Sequence, residues 1–92
     1  MSTSSDPVAE RRATLPPGVA LHARPAGLFV REAARFNSNI TAGANGKRAN
    51  AKSILEVLSL GATAGTELAI SATGEDAREA VERLAALVVG LA

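Results

Sequence analysis

The chain has no cysteine, tryptophan or tyrosine, and only one histidine. Without cysteine there is no disulfide scaffold, no thiol nucleophile and no cysteine-held zinc or iron–sulfur site. One imidazole with no thiolate beside it is too little for a transition-metal centre, so no metal and no cofactor is expected. Two phenylalanines are the only aromatics. They cannot form a stacking platform for single-stranded nucleic acid. Charge of one sign is also missing: ten basic and nine acidic side chains leave a formal +1, with no strongly basic footprint. Apolar runs such as residues 85–89 are far too short to span a bilayer. No apolar segment follows a basic start, so a cytoplasmic protein without membrane insertion is expected.

What is present is small and aliphatic. Ninety-two residues hold one core and no second. Leu, Ile, Val and Phe make up about a quarter of the chain, above the level at which chains stay disordered. Alanine occurs 20 times, so the core must come from close approach of Ala-rich faces. The near-neutral total hides an asymmetry. Residues 1–53 carry a local +5 and residues 54–92 a local −4. The basic half surrounds the lone His22, which makes an anionic ligand or acidic partner there plausible.

Residues 1–10 are small, polar and contain proline, and are expected to form a disordered tail before one domain over 11–92. Residues 11–15 alternate weakly as a strand that Pro16 and Pro17 end. Ala26, Phe29, Val30, Ala33 and Phe36 recur at helical spacing, predicting a helix from about 23 to 37 with Pro25 in its first turn. Two short strands, 39–44 and 47–51, flank Asn45-Gly46, a strong hairpin signal. Ser53 and Glu56 form a capping box that opens a short helix to about 58. Residues 67–72 read as a strand. A final helix follows, with the stripe Ala77, Ala80, Val81, Leu84, Leu87, Val88 and Leu91. Glu75 and Asp76 suit its positive end, and with Arg78, Glu79, Glu82 and Arg83 they are expected to face water. The order β-α-β-β-α-β-α implies an α+β domain with helices on one face of a mostly antiparallel sheet.

His22 stands where a loop becomes a helix. A helix start offers free backbone N–H groups and partial positive charge, a ready site for an anion. Arg24 adds a planar fork of donors suited to phosphate. A phosphoryl group there would be held by the free N–H groups and Arg24. A lone histidine near a helix start is most often an ordinary polar residue. The H-x-R-P context raises the chemical reading only to a level with that one. A serine triad is not suggested, because no G-x-S-x-G elbow is present. Residues 43–48 faintly resemble a phosphate loop but lack its spacing and its Ser/Thr, and the hairpin explains them better.

The stretch LHARPA at 21–26, followed by KSILEVLSLG at 52–61, resembles the histidine-containing phosphocarrier (HPr) family of the bacterial sugar phosphotransferase system. The likeness runs from about residue 11 to 89. It implies an open-faced sandwich of four antiparallel strands with three helices on one face. It implies that His22 is phosphorylated through Nδ1, with Arg24 and the backbone of Ala23 and Arg24 holding the phosphate. The donor would be enzyme I, charged by phosphoenolpyruvate, and the acceptors would be enzyme IIA domains. Such a chain is a monomeric relay rather than an independent turnover enzyme.

The same resemblance makes Ser53 the family's regulatory serine, the target of a serine kinase. Phosphate suits a helix N-terminus, but Glu56, as partner in the capping box, would repel it. Ile54, Leu55, Leu58 and Arg31 are implied as docking residues, with Ile54 and Leu58 expected to contribute most. Two positions depart from the family: where Asn or Ser and then Gly commonly precede the histidine, this chain has Val19 and Ala20. Val19 cannot offer a side-chain hydrogen bond to phosphate, and Ala20 stiffens the loop. Rival readings are a regulatory module that keeps only docking, a nitrogen-branch phosphocarrier, and a small-molecule-binding module of ferredoxin-like shape.

Overall fold

A computed structural model describes residues 7–91. Its elements are β1 (Val8–Thr14), α1 (Ala23–Ala33), β2 (Asn39–Ala44), β3 (Lys47–Asn50), α2 (Ile54–Ser59), β4 (Glu67–Thr73) and α3 (Ala77–Val89). The strands form one antiparallel sheet in the order β1-β4-β2-β3. This is the four-stranded sheet with three helices that the sequence implied.

Alternation decides which face of each strand is covered. Leu68, Ile70 and Ala72 of β4 are buried together with Ile40, Ala42 and Ala44 of β2, Ala49 of β3 and Ala13 of β1. The intervening residues face away, so the sheet is covered on one side only. Against it lie Ala26, Phe29 and Ala33 of α1, and Ala77, Ala80, Val81, Leu84 and Val88 of α3. Alanines on both the sheet and the helices let the layers approach closely, with Phe29 the largest fully buried side chain. Asn45 at φ 55° and Gly46 at φ 76° give the β2–β3 hairpin the left-handed turn that matches strand twist.

Four boundaries or placements differ from the sequence reading. β1 starts at Val8, where Val8 pairs with Thr73 and Glu10 with Ser71. Residues 8–10 of the expected tail are therefore strand, because β4 is long enough to pair them; residues 1–6 lie outside the described residues. Leu15 is fully buried just after β1, anchored by its N–H to Thr66 O at 3.0 Å. α1 ends at Ala33 rather than near 37. Arg35 N–H reaches Glu32 O and Phe36 N–H reaches Ala33 O, at 3.1 and 3.2 Å. These i→i−3 bonds tighten the last turn while still turning Phe36 inward, which is why the helical period seemed to continue.

Asp76, expected in water, is partly buried and tied to the α1–β2 loop. It accepts from Asn37 N–H at 2.9 Å, from Ser38 N–H at 3.0 Å, and from the Ser38 hydroxyl. The Ser38 hydroxyl is the main cause holding its carboxyl below the ordinary carboxylate value, with the Asn37 amide next. Gly74 makes this join possible. Its φ is +146°, and a Cβ there would lie 2.6 Å from Ser38 Oγ and 2.9 Å from Ser38 Cα.

Candidate functional site

At the opposite end of the sheet the chain leaves β1, passes Pro16-Pro17 and enters α1. His22 is the N-cap residue of α1, with extended backbone (φ −128°, ψ −174°) and no side-chain capping bond. Its carbonyl accepts from Ala26 N–H at 3.1 Å. Pro25 has no N–H to give. The free donors of the first turn are therefore Ala23 and Arg24 alone. The loop before them is fixed by Leu21, 2% exposed, whose N–H donates to Ala62 O at 2.9 Å. His22 and Arg24 are both exposed, and among the described residues Arg24 makes no salt bridge.

His22 and Arg24 line one open cleft of about 510 Å³ together with Val19, Ala20, Pro25 and Leu28. Gly90 and Leu91, just past the end of α3, close its far side. The structure thus brings together His22, Arg24 and the two departing residues Val19 and Ala20. Val19 packs partly against the core, so its aliphatic side chain offers the cleft no hydrogen bond. Leu28 was not among the sequence candidates. It is apolar yet 39% exposed, and the available signal was its position one turn after Arg24, off the buried stripe. Leu91 and Gly90 could not be found from sequence, because only packing brings the end of α3 beside the start of α1.

The α2 candidates separate from one another. Ser53 caps α2 as expected, accepting from Glu56 N–H at 3.3 Å. The reciprocal half of the box is absent. Glu56 Oε1 accepts from Asn50 N–H at 2.8 Å, and Ser53 N–H goes to Asn50 O at 3.0 Å. The inward residue of α2 is Val57, fully buried. Leu55 is 77% exposed and Ile54 38%, while Leu58 is partly buried against the core. The larger apolar surface is therefore offered by Leu55 and Ile54, not by Ile54 and Leu58. A six-residue helix turns only one narrow side inward, and Val57 occupies it. Arg31 is exposed in the last turn of α1.

A second cavity, of about 480 Å³, is lined by Asn39, Thr41, Arg48, Asn50, Lys52 and Glu56 among others. It shares no residue with the His22 cleft. Two of its charged groups are already engaged: Lys52 Nζ donates to Phe36 O at 2.7 Å, and Glu56 accepts from Asn50.

What the His22 cleft can do follows from its parts. An unengaged imidazole and a guanidinium line one open space, and two backbone donors without acceptors stand at the same helix start. They can hold a dianionic group that is attached to the ring and exposed to a partner.

Comparison with known proteins places the chain in a family. Residues 9–89 match the family model described as PTS HPr component phosphorylation site. The HPr-like protein Crh of Bacillus subtilis is 53% identical over 68 residues, covering 74% of this chain and 80% of its own. Its crystal structure superposes with a TM-score of 0.70 at 52% identity over 75% of this chain and 79% of that one, and is described as a swapped dimer. The phosphocarrier protein HPr of Haemophilus influenzae is also 53% identical over 68 residues, covering 74% of this chain and 80% of its own. The crystal structure of a phosphocarrier protein HPr from Bacillus anthracis matches with a TM-score of 0.83 at 43% identity, covering 88% of this chain and 96% of that one.

Proposed function

The chain belongs to the HPr family of phosphotransferase-system phosphocarriers, and from that premise we propose that it carries its phosphoryl group on His22. The observation that supports this most is the exposed N-cap imidazole beside two unpaired N–H groups and an Arg24 without a salt bridge. The lone pair on His22 Nδ1 attacks phosphorus on phospho-enzyme I. One N–P bond forms as the donor's bond to phosphorus breaks, and the donor keeps that electron pair. The N–H groups of Ala23 and Arg24 and the Arg24 guanidinium gather the charge on the phosphoryl oxygens. Catalysis here is positioning and charge stabilisation. The second transfer reverses the geometry, with an enzyme IIA domain as acceptor, and serves sugar uptake.

Docking uses the apolar surface of Ile54 and Leu55, with Leu58 at its margin, and Arg31 steers acidic partners. The chain works in the cytoplasm as a monomer that meets each partner in turn. A docking-only module would have no use for His22 and Arg24 in one open cleft, and this favours the carrier reading. Ser53 serves first as the cap of α2. Its hydroxyl accepts from Glu56 N–H at 3.3 Å, so a kinase acting on Ser53 would have to displace that cap.

Incubation with enzyme I and labelled phosphoenolpyruvate tests the carrier role. Acid-labile label is expected on the wild type and not on His22→Ala. An unlabelled wild type, or equal label on the variant, overturns the proposal. Leu55→Ala is expected to raise KM toward enzyme I several-fold with kcat unchanged, as loss of uniform binding does. Intact mass after incubation with ATP and lysate reads Ser53 through acid-stable phosphate.

A further inference from the structure

α2 is six residues long, too short to hold itself together. Gly61, at φ +64°, closes it with an N–H bond to Leu58 O at 3.3 Å, and the carbonyls that follow are taken by side chains from the β2–β3 hairpin. Lys47 Nζ donates to Ser59 O at 3.2 Å, and Asn45 Nδ2 donates to Leu60 O at 2.9 Å and Gly61 O at 3.3 Å. The next residue, Ala62, is 3% exposed, and its carbonyl is the acceptor for Leu21 N–H. Leu21 precedes His22. A short path of hydrogen bonds and buried backbone therefore runs from the Asn45 amide, through Leu60–Gly61–Ala62, to the residue that aims the N-cap imidazole. Asn45 is held in place to do this by its φ of +55° in the turn.

We infer that Asn45 is a positioning residue for His22. It fixes the Leu60–Ala62 strap, and the strap fixes Leu21 and with it the direction of the imidazole. This rests on the reading of His22 as phosphoryl acceptor. The strap joins the hairpin to the His22 loop, and Asn45 supplies side-chain donors to it. The docking residues Ile54 and Leu55 stand at the other end of α2, where Ser53 and the Asn50–Glu56 contact hold the helix. Loss of the Asn45 bonds therefore acts on transfer rather than on docking.

Two variants test this. Asn45→Gly keeps the positive φ and removes the amide. Asn45→Asp keeps the shape but sets an accepting carboxylate against two carbonyls. Hydrogen exchange of the Leu21 amide is expected to quicken by about tenfold in both, the scale of one lost hydrogen bond. The Ile70 amide in central β4 serves as reference and keeps its protection. Transfer from phospho-enzyme I at saturation is expected to fall about five- to tenfold, with KM within twofold, since small displacement of a reacting group is costly. Unchanged Leu21 exchange, or a rise in KM alone, overturns the inference while leaving the carrier reading intact. Equal quickening at Leu21 and Ile70 also overturns it, as mere destabilisation. An unlabelled wild type overturns the carrier reading itself, and Leu21 exchange still decides whether the mechanical link exists.

Discussion

The two ends of the sandwich handle their polar groups in opposite ways. At the end where α3 begins, donors and acceptors are consumed. Asp76 accepts from two amides and a hydroxyl, Gly74 is pressed against Ser38, and Gly74 N–H reaches Pro7 O at 2.9 Å. At the end where α1 begins, donors are withheld. Pro25 has no N–H, Ala26 N–H is satisfied, and the amides of Ala23 and Arg24 have no acceptor among the described residues, beside an open cleft with an unengaged imidazole and guanidinium. Stability comes from spending hydrogen-bonding capacity, and the capacity to take an anion comes from leaving it unspent. The chain keeps the two apart by the full length of α1 and α3.

Substitutions at each end can break this division. The largest effect is expected at the open end: His22→Ala removes all acid-labile label while leaving thermal stability unchanged by calorimetry. Arg24→Ala is expected to slow transfer by about a hundredfold, the usual cost of removing one stabilising donor group, again with the melting temperature held. A parallel loss of stability in either variant would show that the open end also carries the fold. At the closed end the pattern reverses. Gly74→Ala puts a Cβ into Ser38 at an unfavourable φ and is expected to cost about 3 kcal/mol in urea unfolding, with transfer per folded molecule unchanged.

Asp76 sharpens the comparison through pH. Its folded carboxyl is held low by the Ser38 hydroxyl first, so the stability it contributes is present above the unfolded carboxylate value. That stability is lost as pH falls below about 4 and through the lower folded value. Asp76→Asn should flatten that part of the stability–pH curve, and an unchanged slope would remove Asp76 from the account. The smallest effect is expected at Ser53→Ala. With one capping bond of 3.3 Å, the loss is at most about 1 kcal/mol, with no change in labelling of His22.

Much of this was legible in the sequence because it is local. Asn45-Gly46 specified a turn through the φ values it tolerates, Ser53 specified a cap, and the 3.6-residue recurrence from Ala26 to Phe36 specified which side of α1 is covered. His22 and Arg24 were legible because a loop-to-helix transition carries its chemistry in the backbone itself. Leu28 was visible but passed over, since an apolar residue off the stripe has no meaning until the cleft is seen.

Sequence by itself determined where His22 and its guanidinium neighbour stand at the start of α1, the element order and the aliphatic, alanine-rich core. Those depend on residue type and on spacing within one or two turns. Tertiary structure alone decided that Val8–Glu10 are strand, that Asp76 serves Ser38 rather than water, and that Glu56 turns to Asn50. It also set the end of α3 beside His22 and placed Asn45 against the α2 carbonyls. Each of these is a hydrogen bond or a contact between residues far apart in the chain, and no local period records which distant group a free donor or acceptor will find. The single histidine and the near-zero charge are enough for a relay because the fold supplies the remainder from backbone amides that appear in no composition.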